Sequence, residues 1–307
     1  LRIQTYILYI GGIDMWILFA FVSATLLGFY DVFKKQSLRD NSVLTVLLLN
    51  CLFSSIIFLP MVWHAPFGGW EVQKYIVLKA FIVLSSWICG YYAMKHLPIT
   101  IVGPVNASRP MLVLVGAMFL FGERLNLFQW AGVLLAISSF LLLKRGGKKE
   151  GIDFMRNKWA LCLIAAALLG AFSGLYDKYL LSPVEEGGLG LNRLTVQSYF
   201  NFYQLIIMSG VVWLERKGGE NAHKFQWRWT IPLISIFICA ADLAYFYSLS
   251  LDDAMISVIS MVRRGSVIVS FLMGAFFFHE HNLKSKAVDL VLVLLGMLCL
   301  YLGTMCY

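Results

Sequence analysis

Two arginines stand side by side near the middle of an apolar run, "AMISVISMVRRGSVIVSFLMGAFFF", as Arg263 and Arg264. On insertion scales each charge at the centre of a spanning helix costs about 2.5–3.5 kcal/mol, so the pair costs roughly 5–7, and about a dozen Val, Ile, Leu and Phe return roughly 4–7. Such a segment keeps its arginines toward other helices or a wet cavity. Adjacent residues on a helix point about 100° apart, so at most one of the two faces a cavity squarely. Arg109 is the nearest equivalent in the first half of the chain, with Asn106 one turn before it and Pro104 and Pro110 on either side. The prolines weaken local backbone pairing, which at membrane depth is tolerated where the backbone lines a cavity. Guanidinium groups in such a place bind an anion. Asp242, midway along "IPLISIFICAADLAYFYSLS", has two readings: a site for a coupled proton or a substrate amine, or an ion pair with Arg263 or Arg264.

Other polar and aromatic residues fall inside apolar runs. Asn50, Asn201 and Gln204 are candidates for the substrate pathway or for hydrogen bonds between helices. Trp87, Tyr91, Tyr92, Tyr245 and Tyr247 either wall an apolar cavity or pack. Glu123 and Glu280 read as the starts of the helices that follow them, where a negative charge suits the helix dipole. His279, Glu280 and His281 lack the spacing of two histidines four apart that a helical zinc site needs. GxSxG, HExxH, P-loop and Gly-rich nucleotide fingerprints are all absent from the sequence. No catalytic residue, cofactor or metal is expected, and an ATP-driven or enzymatic role is disfavoured.

The elements that must hold these residues are apolar helices. The chain has 307 residues, 60% of them hydrophobic and 14% charged, against about 45–50% apolar in soluble domains. Ten runs are apolar and long enough to span a bilayer: 15–34, 43–63, 73–94, 98–121, 126–143, 158–181, 194–214, 229–250, 254–278 and 286–305. The six cysteines lie in or at the ends of these runs without CxxC spacing, as small core residues. Residues 1–14 form an extension before Met15 without the pattern of a signal peptide. The basic residues sit mostly in short loops, so the +8 balance is a topology signal and no nucleic-acid surface is expected.

The runs repeat. "GFYDVFKK" (Gly28–Lys35) returns as "GLYDKYLL" (Gly174–Leu181); "LTV" before Asn50 returns before Asn201; Tyr91 and Leu97 return as Tyr245 and Leu251; "FGE" ending at Glu123 returns as "FHE" ending at Glu280. Each pair is separated by nearly half the chain. Residues 15–143 and 158–307 therefore read as two five-helix copies joined by the basic linker 144–157. Five is odd, so the copies enter the membrane in opposite directions, the inverted repeat that many secondary transporters use for alternating access. The expected fold is all-α, ten transmembrane helices in two inverted repeats. Within the repeated motif, Asp31 has Lys35 one turn on, a ready ion pair. Asp177 has Leu181 there instead and stays a candidate for coupling. The small residues Gly28, Gly170 and Gly174 mark close helix contacts. Most Lys and Arg fall on the side that holds "KRGGKKEG", which places that linker in the cytoplasm and both termini outside.

The closing segment of the first copy, "PVNASRPMLVLVGAMFLFGERLNLFQWAGVLLAISSFLLL" (104–143), with its second-copy partner "FFFHEHNLKSKAVDLVLVLLGMLCLYLG" (276–303), resembles the EamA-type branch of the drug/metabolite transporter superfamily. His279 stands where the family usually has Gly. The resemblance implies a secondary transporter or exporter of a small organic metabolite, amino-acid-like or otherwise carboxylate-bearing, in a bacterial inner membrane. Its partners are then the cargo, a coupled proton and the lipid bilayer. Relatives of the family carry phosphorylated sugars and nucleotide sugars, an alternative cargo that several arginines would suit. A membrane enzyme or non-transporting partner protein is the remaining reading. Family members are usually drawn with both termini in the cytoplasm, opposite to the charge count.

Overall fold

The computed structural model describes residues 9–10, 13–121, 125–149, 156–181, 184–217, 225–250, 259, 262–278, 280 and 283–305. Apart from a two-residue antiparallel pair, β1 (Tyr9–Ile10) with β2 (Ile13–Asp14), and a 3-10 turn at Val184–Glu186, the regular structure is helical. The helices are α1 (Met15–Leu38), α2 (Val43–Val62), α3 (Gly69–His96), α4 (Ile99–Ala107), α5 (Arg109–Phe121), α6 (Leu127–Lys149), α7 (Lys158–Leu181), α8 (Arg193–Lys217), α9 (Thr230–Ser250), α10 (Ser266–Phe277) and α11 (Leu283–Met305). Among the described residues six helical segments are long and apolar enough to cross a membrane; two more, Leu127–Leu142 and Thr230–Tyr245, are apolar but shorter.

Two turns show how local sequence sets the path. The chain enters α3 through Gly68 and Gly69 at φ of 69° and 80°, where a side chain would be strained. It leaves α3 at Leu97, which precedes Pro98 and is extended (φ −110°, ψ 154°), the conformation that the proline ring favours.

The fourth and ninth apolar runs are each interrupted at one residue, although Ile99–Gly116 still forms one membrane-length helical segment. The fourth breaks at Ser108, between Pro104 and Pro110, into α4 and α5. In the ninth, residues 262–264 are helical, Gly265 makes a turn, and α10 starts at Ser266. Both breaks carry arginine: Arg109 follows Ser108, and Arg264 precedes Gly265.

Helix packing pairs the two halves. α1 lies along α9 and α7 along α3; α2 packs on α8 and α6 on α11. Lesser contacts join α2 to α9, α3 to α8, α1 to α10 and α7 to α5. The exterior is apolar, with Phe21, Ile56, Phe81, Leu134, Leu168, Ile206 and Phe276 exposed. Asn50, Gln73, Asn201 and Gln204 are buried. This arrangement suits lipid outside and hydrogen-bonded helix contacts inside.

Candidate functional site

A cavity of about 390 Å³ runs between the two halves. α1 brings Tyr30, Asp31 and Lys34 to it, α3 brings Lys79, Trp87 and Tyr91, and the α4–α5 break brings Asn106 and Arg109. From the second half come Asp177, Asn201, Asp242, Arg263 and Arg264. Most of the residues singled out by sequence thus share one wall: Arg109, Arg263, Arg264, Asp242, Asn106, Asn201, Trp87, Tyr91 and Asp177.

Asn50 and Tyr245 lie outside it. Asn50 is fully buried, and its carbonyl and side-chain oxygen accept from the Ser235 hydroxyl of α9 at 3.1 and 2.9 Å. Tyr245 packs under Arg263, whose guanidinium carbon is 4.4 Å from the ring centroid. Asn201 keeps its side chain within its own helix, donating to the Gln197 carbonyl at 2.8 Å; its backbone carbonyl takes the bond from α2, from Ser55 at 3.0 Å.

Among the described residues each wall carboxylate is paired with a cation. Asp242 bonds Arg263, the ion pair that the sequence left open. Asp31 pairs with Lys34 at 2.8 Å and not with Lys35, because Lys35 turns away to the carbonyls of Met94 and Leu97. Lys34 also stands 4.4 Å from the Tyr30 ring and 5.3 Å from the Tyr91 ring. Asp177, without a partner on its own helix, reaches Lys79 of α3 at 2.7 Å. Lys34 and Lys79 are the residues that sequence reasoning missed. The signal for Lys79 is its place inside the apolar run 73–94.

That leaves Arg109 and Arg264. Neither has an ion pair or a side-chain hydrogen bond among the described residues, and the Nε of each is buried without a partner, as is Asn106 Oδ1. The Arg109 guanidinium lies flat on α7 at Gly170, where a Cβ would come within 2.8 Å of its Cζ. A buried guanidinium without a counter-charge is costly unless an anion or water answers it. The described residues hold no group of three or more His, Cys, Asp or Glu able to ligate a metal ion.

Glu280 also departs from expectation. Its carboxylate accepts the backbone N–H groups of Ile99 at 2.7 Å and Thr100 at 3.1 Å, and the Thr100 hydroxyl. It therefore caps α4 of the first half, not α11, the helix that follows it, because the end of α10 packs directly on the start of α4. A Cβ on Gly274 would meet Ile99 Cγ2 at 2.4 Å. Glu123, His279 and His281 lie outside the described residues.

Bilayer-length helices with an apolar exterior around an internal charged cavity define an integral membrane protein. Residues 14–145 match the EamA-like transporter family. The chain is 22% identical over 75% of its length, and 71% of the other, to an Arabidopsis thaliana protein named "Probable magnesium transporter NIPA9". It is 26% identical over 42% of its length, and 95% of the other, to an "Uncharacterized transporter in cobO 3'region" of Sinorhizobium sp. An "Uncharacterized transporter" of Archaeoglobus fulgidus is 25% identical over 50% of this chain and 59% of that one. A solved protein crystal structure shares the fold with a TM-score of 0.56 at 14% identity, covering 90% of this chain and 96% of that one. The first part of the chain is thus similar to the EamA-like transporter family, and the relatives named as transporters support a membrane transporter.

Proposed function

We propose that this protein is a secondary transporter that moves a small organic anion, carboxylate-bearing and amino-acid-like in size, by alternating access between two inverted five-helix repeats. The carrying observation is that Arg109 and Arg264 face one cavity without an ion pair among the described residues, while Asp31, Asp177 and Asp242 are each matched by a cation. The wall then has two positive charges to offer a cargo, one from each half. The two-copy reading, 15–143 and 158–307, is supported by the exchange of helix contacts between the halves. α1 on α9 corresponds to α7 on α3, and α1 on α10 to α7 on α5. Ten crossings follow if each broken run counts as one.

The name of the Arabidopsis relative raises a second cargo, Mg²⁺. Mg²⁺ asks for oxygen ligands and carboxylates free to serve it. Among the described residues of this wall every carboxylate already serves a cation, and the surplus arginines repel a divalent ion. A phosphorylated sugar would suit two arginines, and it differs experimentally by requiring a preloaded phosphate compound for counterflow.

Reconstituted liposomes decide between these cargoes. Uptake of labelled amino acids and dicarboxylates is expected, reduced to background by Arg109→Ala with Arg264→Ala. Full flux in that double variant sinks the site assignment. Mg²⁺ entry reported by an enclosed dye, without anion flux, replaces the proposal with the cation reading.

A further inference from the structure

Helices α1, α4 and α10 all reach the cavity wall, with Lys34, Asn106 and Val267 among their lining residues. At one end they are tied together with α3 by two side chains of opposite charge. Glu280, just beyond α10, accepts the N–H groups of Ile99 and Thr100 and the Thr100 hydroxyl at the start of α4. Lys35, at the end of α1, donates to the carbonyls of Met94 and Leu97 at the end of α3. The anion sits on a helix N-terminus and the cation on a helix C-terminus, so both follow the dipoles. This end is tightly packed: Met94, Leu97, Ile99 and Thr100 are at most 1% exposed. The repeated motif lacks the lysine at the opposite end, where Leu181 occupies the position of Lys35.

We infer that Glu280 and Lys35 are positioning residues of the transport cycle, a latch that holds this end of the cavity shut and must release before cargo can pass it. The inference rests on the alternating-access reading. A one-sided latch biases the resting protein toward the state closed at the Lys35 end. Removing it shifts the population toward the state closed at the other end, where the turn between α2 and α3 lies.

Hydrogen exchange measured by mass spectrometry on the full chain in lipid nanodiscs tests this. Glu280→Gln, and separately Lys35→Met, are expected to speed exchange across 94–103 roughly tenfold or more, as loss of a charge-assisted hydrogen bond should. Both should also slow exchange across 63–72 at the opposite end. Lys35→Arg should leave both ends as in the parent chain. Thr100→Val removes only the hydroxyl donor and should give a smaller shift with the same two-ended pattern, so the test survives if the charge variants do not fold. Faster exchange at 94–103 with 63–72 unchanged makes Glu280 an ordinary helix cap and overturns the latch; no change at either end does the same. A two-ended response combined with anion flux indifferent to Arg109 and Arg264 sinks the cargo assignment and leaves the latch standing.

Discussion

At the scale of single residues, the site is a set of charges in which pairing decides role. Asp242 invited a coupling role in the sequence, but its bond to Arg263 makes it first a partner. Removing one member of a largely buried pair leaves the other charge stranded, typically at a loss of roughly 3 kcal/mol. Asp242→Asn should therefore lower the thermal unfolding midpoint of the purified protein, and adding Arg263→Met should recover part of it. Recovery is the informative outcome, since a purely functional Asp242 would give none. Arg109 depends in turn on the absence of a side chain at Gly170. Gly170→Ala pushes a Cβ into the guanidinium, whose far end can move, so the fold should survive while the charge leaves its place. Anion uptake is expected to fall roughly tenfold or more, as misplacement by about 1 Å commonly does, with an unfolding midpoint close to the parent's.

At the scale of elements, the repeated Gly-x-Tyr-Asp motif serves two different contacts. Gly28 lies against α10, where a Cβ would stand 2.4 Å from Val269 Cβ. The same construction at Gly174 meets only Val113 Cγ2, at 3.4 Å, an ordinary contact distance. Overpacking of a tight contact costs roughly 1–3 kcal/mol. Gly28→Ala should thus destabilise clearly and Gly174→Ala hardly at all, as thermal unfolding in detergent would show; equal effects would contradict the packing described. The two broken runs carry the other element-scale lesson. The interruptions at Ser108 and Gly265, both still right-handed helical in backbone, fall beside Arg109 and Arg264, so helix ends and charge occupy the same cavity wall.

At the scale of the whole molecule, orientation follows from charge. Lys34, Lys79 and Lys286 are buried and drop out of the loop count, yet the basic excess on the side of the 144–157 linker persists. By the positive-inside rule the linker is expected in the cytoplasm and both termini outside, opposite to the usual drawing of the family. A C-terminal reporter should be active only on the outer side; clear cytoplasmic activity would reverse the assignment and with it the side on which the Lys35–Glu280 latch lies.

The sequence by itself determined the class. Composition and run length require membrane helices, because no soluble core hides so many apolar residues. The cost of charge in hydrocarbon then marks Arg109, Asp242, Arg263 and Arg264 as inward-facing before any fold is known. What it could not determine was which charge meets which. Helical spacing offered Lys35 to Asp31, but the end of α3 claimed Lys35, leaving Lys34 for the aspartate. Asp177 looked solitary because its partner, Lys79, is nearly a hundred residues away in the chain and comes within reach only where α7 lies along α3. Glu280 seemed to begin its own next helix and instead caps one from the other half. Burial is written into residue types, whereas pairing depends on distances between helices that only packing sets, and pairing is what left Arg109 and Arg264 available for a cargo.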